Sequence, residues 1–418
     1  MTLTFKHTKL ACYLGYITQA IVNNLAPLLF VTFQRDFGIG LSKLGTLIVI
    51  NFVVQIAVDM LSAQIISGIG MKNTCILAHI MSVLGLVLMG TLPMIVNNTF
   101  IGLLIALVCC AVGGGLIEVV ISPVIEAIPS DNKASQMALL HSFYSWGQVA
   151  VVLLSTLYFV TAGIGKWYIL PIIFAIIPFL NIFLFKQVPL AQLVEEGKEM
   201  SVSSLLRTRI LWLMLLFMIC SGASEMVISQ WSSLLAELGL GVSKTVGDIL
   251  GPCLFAFLMA LSRMLFGLKV TDKSLKPSLM ICAFLCFLSF ALVAFSRASL
   301  LSLIGCGLSG FFVGIMWPGI YSLSASKLPR GGTSMFMLLA FAGDIGCSSG
   351  SGLVGYISDI VKRSGHSIFE GLISFADSTQ LGLKTGIIIA MIFPLILFAG
   401  LFFMIRFVKI NRVRKSIN

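Results

Sequence analysis

The sequence predicts an all-α membrane protein with twelve transmembrane helices in two pseudo-symmetric six-helix halves. Three observations support this prediction: the apolar composition, the spacing of the apolar runs and an internal repeat. Of the 418 residues, 58% are hydrophobic and 10% are charged, and the mean hydropathy is +1.06. A soluble chain carries about 25% charged residues, whereas each membrane-spanning helix needs about 20 apolar ones. The composition therefore excludes a cytosolic enzyme, a nucleic-acid-binding protein and a disulfide-stabilised scaffold.

Apolar runs of membrane-spanning length form two groups of six. The first group covers about 10–33, 42–67, 73–95, 100–128, 137–161 and 166–186. The second group covers about 209–236, 244–267, 275–296, 299–324, 332–361 and 381–408. A polar gap at 187–208 contains Pro189 and both acidic and basic residues, and it divides the chain nearly in half. We therefore predict an N-terminal half at 1–186, a cytoplasmic linker at 187–208 and a C-terminal half at 209–418.

A repeat relates the ends of the first and seventh spans. The segment Asp36-Phe-Gly-Ile-Gly-Leu-Ser-Lys43 matches Glu237-Leu-Gly-Leu-Gly-Val-Ser-Lys244, with identity or a conservative replacement at every position. The offset between the two segments is 201 residues. Duplicated halves are common in transporters, whose substrates bind between the repeats near the bilayer midplane. The repeat therefore predicts a carrier of a small molecule.

The distribution of basic residues predicts that both termini lie in the cytoplasm, and the expected location is the plasma membrane, as a multi-pass protein. In this orientation the inner segments carry 18 Lys and Arg residues and the outer segments carry eight, while Arg263 lies within a span. Basic residues concentrate in cytoplasmic loops. Because these residues occupy short gaps between apolar runs, the net charge of +11 does not indicate nucleic-acid binding. The expected partners are the lipid bilayer and a small-molecule substrate, and we expect a monomer.

The twelve spans, the matched halves and the central linker resemble the major facilitator superfamily over essentially the whole chain. Its signature loop runs D-x-x-G-x-K/R, and here Ser67-Gly-Ile-Gly-Met-Lys72 keeps the glycine and the lysine but not the acid. Two further runs, Gly113-Gly-Gly-Leu-Ile-Glu118 and His141-Ser-Phe-Tyr-Ser-Trp-Gly147, resemble the sugar branch that contains the fucose–proton symporters. That branch carries an acid in span 4, which Glu118 matches, and an acid in span 1, where this chain has Asn23 and Asn24. The resemblance implies secondary active transport by alternating access.

Charged residues inside the spans are candidates for proton coupling and gating. A charge at the bilayer centre costs at least about 2.5 kcal/mol on insertion scales, so these side chains must face protein or water. In the interior of the predicted spans we count four acidic residues and one basic residue, Arg263. A buried carboxylate without a neighbouring cation binds a proton more readily. The expected proton-coupling residues are Glu118, Glu225 and Asp344, and the expected gate residues are Asp59, Arg263 and Lys72. A structural brace at Glu225 and a snorkelling role for Arg263 remain alternatives.

Polar and aromatic side chains inside the spans are candidates for binding the substrate. Asn24 and Glu225 differ by the repeat offset of 201, so we expect them to face the cavity at similar depth. Amides and carboxylates can hold sugar hydroxyls, and aromatic planes can stack on sugar rings. The alternative is that such groups only form hydrogen bonds between helices. The expected substrate-binding residues are Asn24, Gln19, Glu225, Trp231, His141, Gln148, Trp317 and Tyr321.

The expected function is therefore secondary active transport of a small polar solute, a sugar in the first instance, coupled to protons. One alternative is a proton-coupled exporter of amphipathic compounds or drugs, and another is a membrane sensor that transports nothing. We expect no enzyme activity, because Gly346-Cys-Ser348-Ser-Gly350 matches G-x-S-x-G only within a span, where helix packing explains the small residues. The sequence contains no P-loop, zinc motif or dinucleotide fingerprint, so we expect no cofactor and no bound metal.

The first prediction concerns orientation. Single cysteines introduced at 187–208 into a cysteine-depleted variant should react with an impermeant thiol reagent only from the cytoplasmic side, because the basic residues hold this linker inside. The measurement compares labelling in intact cells with labelling in inverted vesicles. Labelling in intact cells would reverse the orientation.

Overall fold

The structure is a computed structural model that describes residues 3–39, 41–192, 199–236, 249–269, 271, 273–373 and 378–417. Within these ranges the regular structure is entirely helical. The helices before the linker are α1 (Phe5–Leu28), α2 (Phe30–Phe37), α3 (Leu41–Ile69), α4 (Met71–Ile95), α5 (Thr99–Ala127), α6 (Lys133–Ala162), α7 (Ile169–Phe174) and α8 (Ile176–Gln187). The second copy of the repeat, 237–244, lies outside the described residues.

The remaining helices follow the short helix α9 (Val202–Leu206), which begins at the end of the linker. They are α10 (Arg209–Leu234), α11 (Leu254–Lys269), α12 (Leu275–Phe295), α13 (Ser299–Val313), α14 (Met316–Lys327), α15 (Gly332–Ser364), α16 (Ser378–Ala390) and α17 (Ile392–Ile417). One π-helical turn, Ile249–Cys253, precedes α11.

The structure confirms the predicted fold class. Eleven helical stretches among the described residues are long and apolar enough to cross a membrane, and they coincide with the second to twelfth predicted runs. The first predicted run is helical over Phe5–Leu28 but is not apolar enough to be counted with these eleven. Gln19, Asn23 and Asn24 lower its hydropathy, and α1 is the helix whose polar face contributes most to the candidate site described below.

The chain forms two compact units, and each unit includes segments from both halves of the sequence. Unit 1 comprises Met1–Ser130, Phe143–Val202 and Pro329–Phe341. Unit 2 comprises Asp131–Ser142, Ser203–Leu328 and Ala342–Asn418. The start of α6 therefore belongs to unit 2 and its remainder to unit 1, whereas the start of α15 belongs to unit 1 and its remainder to unit 2. The domain boundaries at 186 and 209 stay predictions.

Unit 1 contains a buried histidine that joins three helices. The Asn181 side chain on α8 donates from Nδ2 to the Ala11 carbonyl at 2.9 Å, and the same atom lies 2.8 Å from His79 Nε2. His79 Nδ1 lies 2.7 Å from the Cys75 carbonyl one turn earlier on α4. An imidazole that donates from Nδ1 and accepts at Nε2 satisfies both contacts. His79 and Asn181 together therefore link α1, α4 and α8 as structural residues.

Close backbone packing in unit 2 explains the G-x-S-x-G match. A Cβ atom on Gly346 would collide with the Ile219 carbonyl on α10, and one on Gly350 would lie 2.7 Å from the Ala223 Cα. Ser348 Oγ donates to the Asp344 carbonyl of its own helix at 2.6 Å. Small residues let two transmembrane backbones approach closely. The motif is therefore a contact surface between α10 and α15.

The second prediction concerns this contact. Gly346→Ala should destabilise the protein by about 1–3 kcal/mol, because the added methyl group meets the Ile219 backbone, which cannot rotate away. Thermal unfolding in detergent provides the measurement. Gly352→Ala on the same helix is the matched control, since nothing lies within 4 Å of its Cβ position. Equal midpoints for the two variants would contradict the packing argument.

Candidate functional site

Six polar side chains of unit 1 meet at the interface between α1, α3 and α5. Tyr16, Gln19 and Asn23 lie at i, i+3 and i+7 and so share one face of α1. Glu118 and Ser122 lie at i and i+4 on α5. Helical spacing therefore aligns two polar stripes, and the fold brings them into contact with each other.

Two hydrogen bonds connect these stripes, and a third attaches α3 to the α1 stripe. Gln19 Nε2 donates to Glu118 Oε2 at 2.8 Å, and the Glu118 residue is 8% exposed. Tyr16 Oη and Ser122 Oγ lie 2.7 Å apart. Gln55 Nε2 on α3 donates to Asn23 Oδ1 at 3.3 Å. We call these six side chains the α1–α5 polar cluster: Tyr16, Gln19, Asn23, Gln55, Glu118 and Ser122.

The glycine run before Glu118 lets three helices approach α5. A Cβ atom on Gly113 would lie 2.8 Å from Ser82 N on α4. One on Gly114 would lie 3.1 Å from Asn23 Oδ1 on α1, and one on Gly115 would lie 3.3 Å from Val58 Cγ1 on α3. Successive residues of a helix point about 100° apart, so three glycines in a row open three different faces. This local sequence therefore determines how closely α1 and α3 can bring their amides to Glu118.

Unit 2 contains a buried ion pair in place of an amide–carboxylate pair. Arg263 Nη2 lies 3.0 Å from Glu225 Oε2, and the two side chains are 2% and 10% exposed. Arg263 also donates from Nε to the Gly314 carbonyl at 2.9 Å and from Nη1 to the His141 carbonyl at 3.4 Å. The guanidinium thereby connects α11 with α10, with the α13–α14 junction and with the start of α6. A planar group with five donors suits such a junction.

Three predicted aromatic site residues also meet in unit 2. The His141 and Tyr321 ring centroids lie 5.7 Å apart, and those of Trp317 and Tyr321 lie 6.4 Å apart. Tyr321 is 0% exposed, and a Cβ atom on Gly343 would collide with the Trp317 ring. The fold therefore groups these residues around the Arg263 junction as tightly packed neighbours.

The remaining predicted site residues are dispersed. Asn24 Nδ2 donates to the Ala20 carbonyl of its own helix at 2.9 Å, and Trp231 Nε1 donates to the Ser351 carbonyl at 3.1 Å. Asp59 on α3 is 1% exposed and Asp344 on α15 is 5% exposed. Gln148 in unit 1 is half-buried. Their roles in substrate binding, coupling and gating stay predictions.

The count of one interior base was wrong. Lys384 lies inside the last membrane-spanning stretch, is 1% exposed, and donates from Nζ to the Ser296 carbonyl at 2.9 Å. Ser296 follows the last residue of α12, where a cation interacts favourably with the free carbonyls of a helix end. The apolar run begins only three residues before Lys384, so the sequence alone placed this lysine in a loop.

Sequence reasoning missed Gln55. This residue lies four positions before Asp59 in an apolar run, so the two share one face of α3. That spacing was the available signal, because polar groups inside a span usually face the bundle interior.

A cavity of about 550 Å³ lies in unit 1 at the start of α4. The signature-loop residues Ser67 and Lys72 line it together with Glu199 from the linker. Partial burial raises the pKa of the Glu199 carboxyl above its ordinary value. No group of three His, Cys, Asp or Glu side chains suited to a metal ion occurs among the described residues.

The third prediction concerns the ion pair. Arg263→Met should destabilise the protein by about 3–5 kcal/mol, because it leaves the Glu225 carboxylate buried without its guanidinium. Adding Glu225→Gln should restore part of this loss, since the double variant buries no uncompensated charge at this position. Thermal unfolding of the purified variants measures both effects. A double variant no more stable than Arg263→Met would show that the pair does not act as a unit.

Comparison with known proteins identifies the fold. The family model of the Major Facilitator Superfamily matches residues 12–351. No curated protein sequence matches the chain significantly. The crystal structure of the E. coli fucose:proton symporter FucP is similar at 18% identity with a TM-score of 0.75, covering 95% of this chain and 98% of that one.

Two other solved structures show the same likeness. FucP in an outward conformation aligns at 18% identity and a TM-score of 0.76, covering 95% of this chain and 98% of that one. The proton:xylose symporter XylE aligns at 12% identity and a TM-score of 0.78, covering 96% of this chain and 95% of that one. Identities this low demonstrate a shared fold and nothing finer. Together with the family match over most of its length, they show that this chain is a multi-pass membrane transporter of the major facilitator superfamily.

Proposed function

We propose that this transporter carries a neutral sugar or a related polyol together with protons across the plasma membrane, with its termini in the cytoplasm. The observation that carries the proposal is the hydrogen bond between Gln19 and Glu118 at the centre of the α1–α5 polar cluster. The cluster combines an acid, amides and hydroxyl groups on three helices of one unit. The transporter works without a resident cofactor, and the coupling ion is the proton.

The chemistry of the α1–α5 polar cluster suits a polyhydroxylated solute. Each sugar hydroxyl both donates and accepts a hydrogen bond, and amides present both functions at fixed positions. A buried polar group that loses its partner costs about 1–3 kcal/mol, so a site of this kind rejects solutes without matching hydroxyls. The names of the similar structures, a fucose:proton and a proton:xylose symporter, support the same class of solute.

The Gln19–Glu118 pair also suits reversible protonation. The Gln19 amide donates to the ionised carboxylate, and after rotation of the amide its oxygen accepts a hydrogen bond from the protonated acid. Both protonation states of Glu118 therefore keep a hydrogen bond to Gln19. An arginine has no acceptor, so protonation of Glu225 would break its ion pair with Arg263. This difference supports Glu118 over Glu225 as the proton-coupling residue of the proposal.

The fourth prediction tests both parts of the proposal. A panel of sugars, polyols and lipophilic cations is first screened for thermal stabilisation of the purified protein, and the stabilising solute is then used in proteoliposomes. Glu118→Gln should abolish proton-driven accumulation of that solute but retain exchange of labelled for unlabelled solute, because exchange requires no net proton movement. Gln19→Ala should weaken binding by roughly 5- to 150-fold.

Glu370→Gln provides the control, since Glu370 is a partly exposed acid in the connection between α15 and α16. Accumulation at the wild-type level in Glu118→Gln would remove Glu118 from the coupling role. Stabilisation by lipophilic cations alone would favour the exporter of amphipathic compounds. Binding of a sugar without any flux would favour a membrane sensor.

A further inference from the structure

The end of the central linker packs along the start of α15 within unit 1. The Met200 amide donates to the Arg330 carbonyl at 2.9 Å, which attaches the linker backbone to the turn before α15. Val202 packs against an apolar cluster that contains Val119 of α5 and Met337 and Ala340 of α15. The linker therefore contacts α15 both before its first residue and along its second turn.

The Glu199 carboxylate lies close to the first residue of α15. Gly332, the first residue of α15, has φ of 55°, a left-handed conformation that side chains other than glycine rarely adopt. A Cβ atom at Gly332 would lie 2.6 Å from Glu199 Cδ and 2.8 Å from Oε2. The absence of a side chain at 332 thus leaves room for the Glu199 carboxylate. The raised pKa of Glu199 is consistent with this contact, since it reflects water removed from the carboxyl.

The same carboxylate lies beside the signature loop. Glu199, Ser67 and Lys72 line one cavity, together with Thr333 and Ser334 of α15. The family pattern has an acid at position 67, where this chain has serine. The linker thus supplies a carboxylate to a cavity whose own loop has lost one.

These contacts lie close to two points at which the chain passes from unit 1 to unit 2. The chain passes from unit 1 to unit 2 immediately after Val202, and α15 passes from unit 1 to unit 2 after Phe341. Residues 199–202 therefore pack, together with residues of α3 and α5, against the part of α15 that unit 1 contains. Any contact that strengthens or weakens this attachment changes how readily the start of α15 leaves unit 1.

We propose that residues 199–202 form a strap that holds the start of α15 in unit 1. The packing of the Glu199 carboxylate beside Gly332 is the contact that secures the strap. Loss of the strap exposes the start of α15, which is otherwise packed within unit 1. The proposal depends on the transporter fold and not on the identity of the solute.

The fifth prediction tests the strap with a double-mutant cycle. Ala340, which is 0% exposed, is replaced by cysteine in a full-length variant that retains Cys75, also 0% exposed, as its one native thiol. The measurement is the rate at which each thiol reacts with N-ethylmaleimide. Gly332→Ala should raise the rate at position 340 roughly fivefold or more, because the methyl group displaces the Glu199 carboxylate and the left-handed conformation is strained.

In a Glu199→Ala background, Gly332→Ala still strains the left-handed backbone at position 332. The added methyl group no longer overlaps with a carboxylate at position 199. The effect of Gly332→Ala should therefore be smaller there by at least about twofold. Val202→Ala, which weakens the strap without a steric clash, should raise the rate about two- to fivefold. Glu370→Gln removes an equivalent charge elsewhere and should leave the rate unchanged.

Two results would overturn the proposal. Equal effects of Gly332→Ala in both backgrounds would show that Glu199 and Gly332 are not coupled. A parallel rise in the reactivity of Cys75 would show that the substitutions loosen unit 1 as a whole. Because neither readout involves sugar or protons, the strap can fail while the proposed function stands, and the converse also holds.

Discussion

The cost of placing polar and charged groups in hydrocarbon is the constraint on which the rest of this structure depends. Every interior charge must find a partner within the protein, since the lipid offers none. Three interior charged side chains illustrate this rule. Glu118 accepts from Gln19, Glu225 pairs with Arg263, and Lys384 donates to the end of α12. Each of these contacts joins residues on different helices, so the same interactions that satisfy the charges also position the helices.

The two units satisfy their buried glutamates in different ways, and the difference has chemical consequences. An amide can donate to an ionised carboxylate or accept from a protonated one, whereas a guanidinium can only donate and forms an ion pair only with the ionised form. The Gln19 contact of Glu118 is therefore compatible with either state of the carboxyl. The Glu225 carboxylate instead belongs to an ionic junction that connects α10, α11 and the start of α6. Two acids that look alike in the sequence thus differ in the chemistry of their hydrogen-bond partners.

Small residues make these contacts possible. The glycines at 113–115 open three faces of α5 to α4, α1 and α3, and they do so within two turns of Glu118. In unit 2, Gly346 and Gly350 bring the backbones of α10 and α15 together. Without water to drive association in the membrane, close packing and hydrogen bonds hold the helices together. A glycine that looks permissive in the sequence is therefore a fixed point of contact, and at Gly332 it also accommodates a carboxylate from the linker.

The sequence by itself determined the fold class and the candidate acids, because both depend on local properties. Hydrophobic runs of membrane-spanning length identify helices wherever they occur, and an acid inside such a run stands out against apolar neighbours. Glu118, Gln19 and Arg263 were selected as candidates because they are polar residues inside such runs, and the structure gives each of them a buried polar contact. The start of the last span was harder to predict from the sequence, because a lysine near the start of an apolar run, such as Lys384, has the pattern of a loop residue.

Only the tertiary structure decided which groups meet. It paired Arg263 with Glu225, brought Gln55 to Asn23, and placed Glu199 against Gly332 across more than 130 residues of sequence. Periodicity shows which side chains share a helix face but not which helix lies opposite, because helix packing depends on the summed shape and hydrogen bonding of many distant residues. For this reason the acids could be identified from the sequence, whereas their partners, and hence their chemistry, required the folded chain.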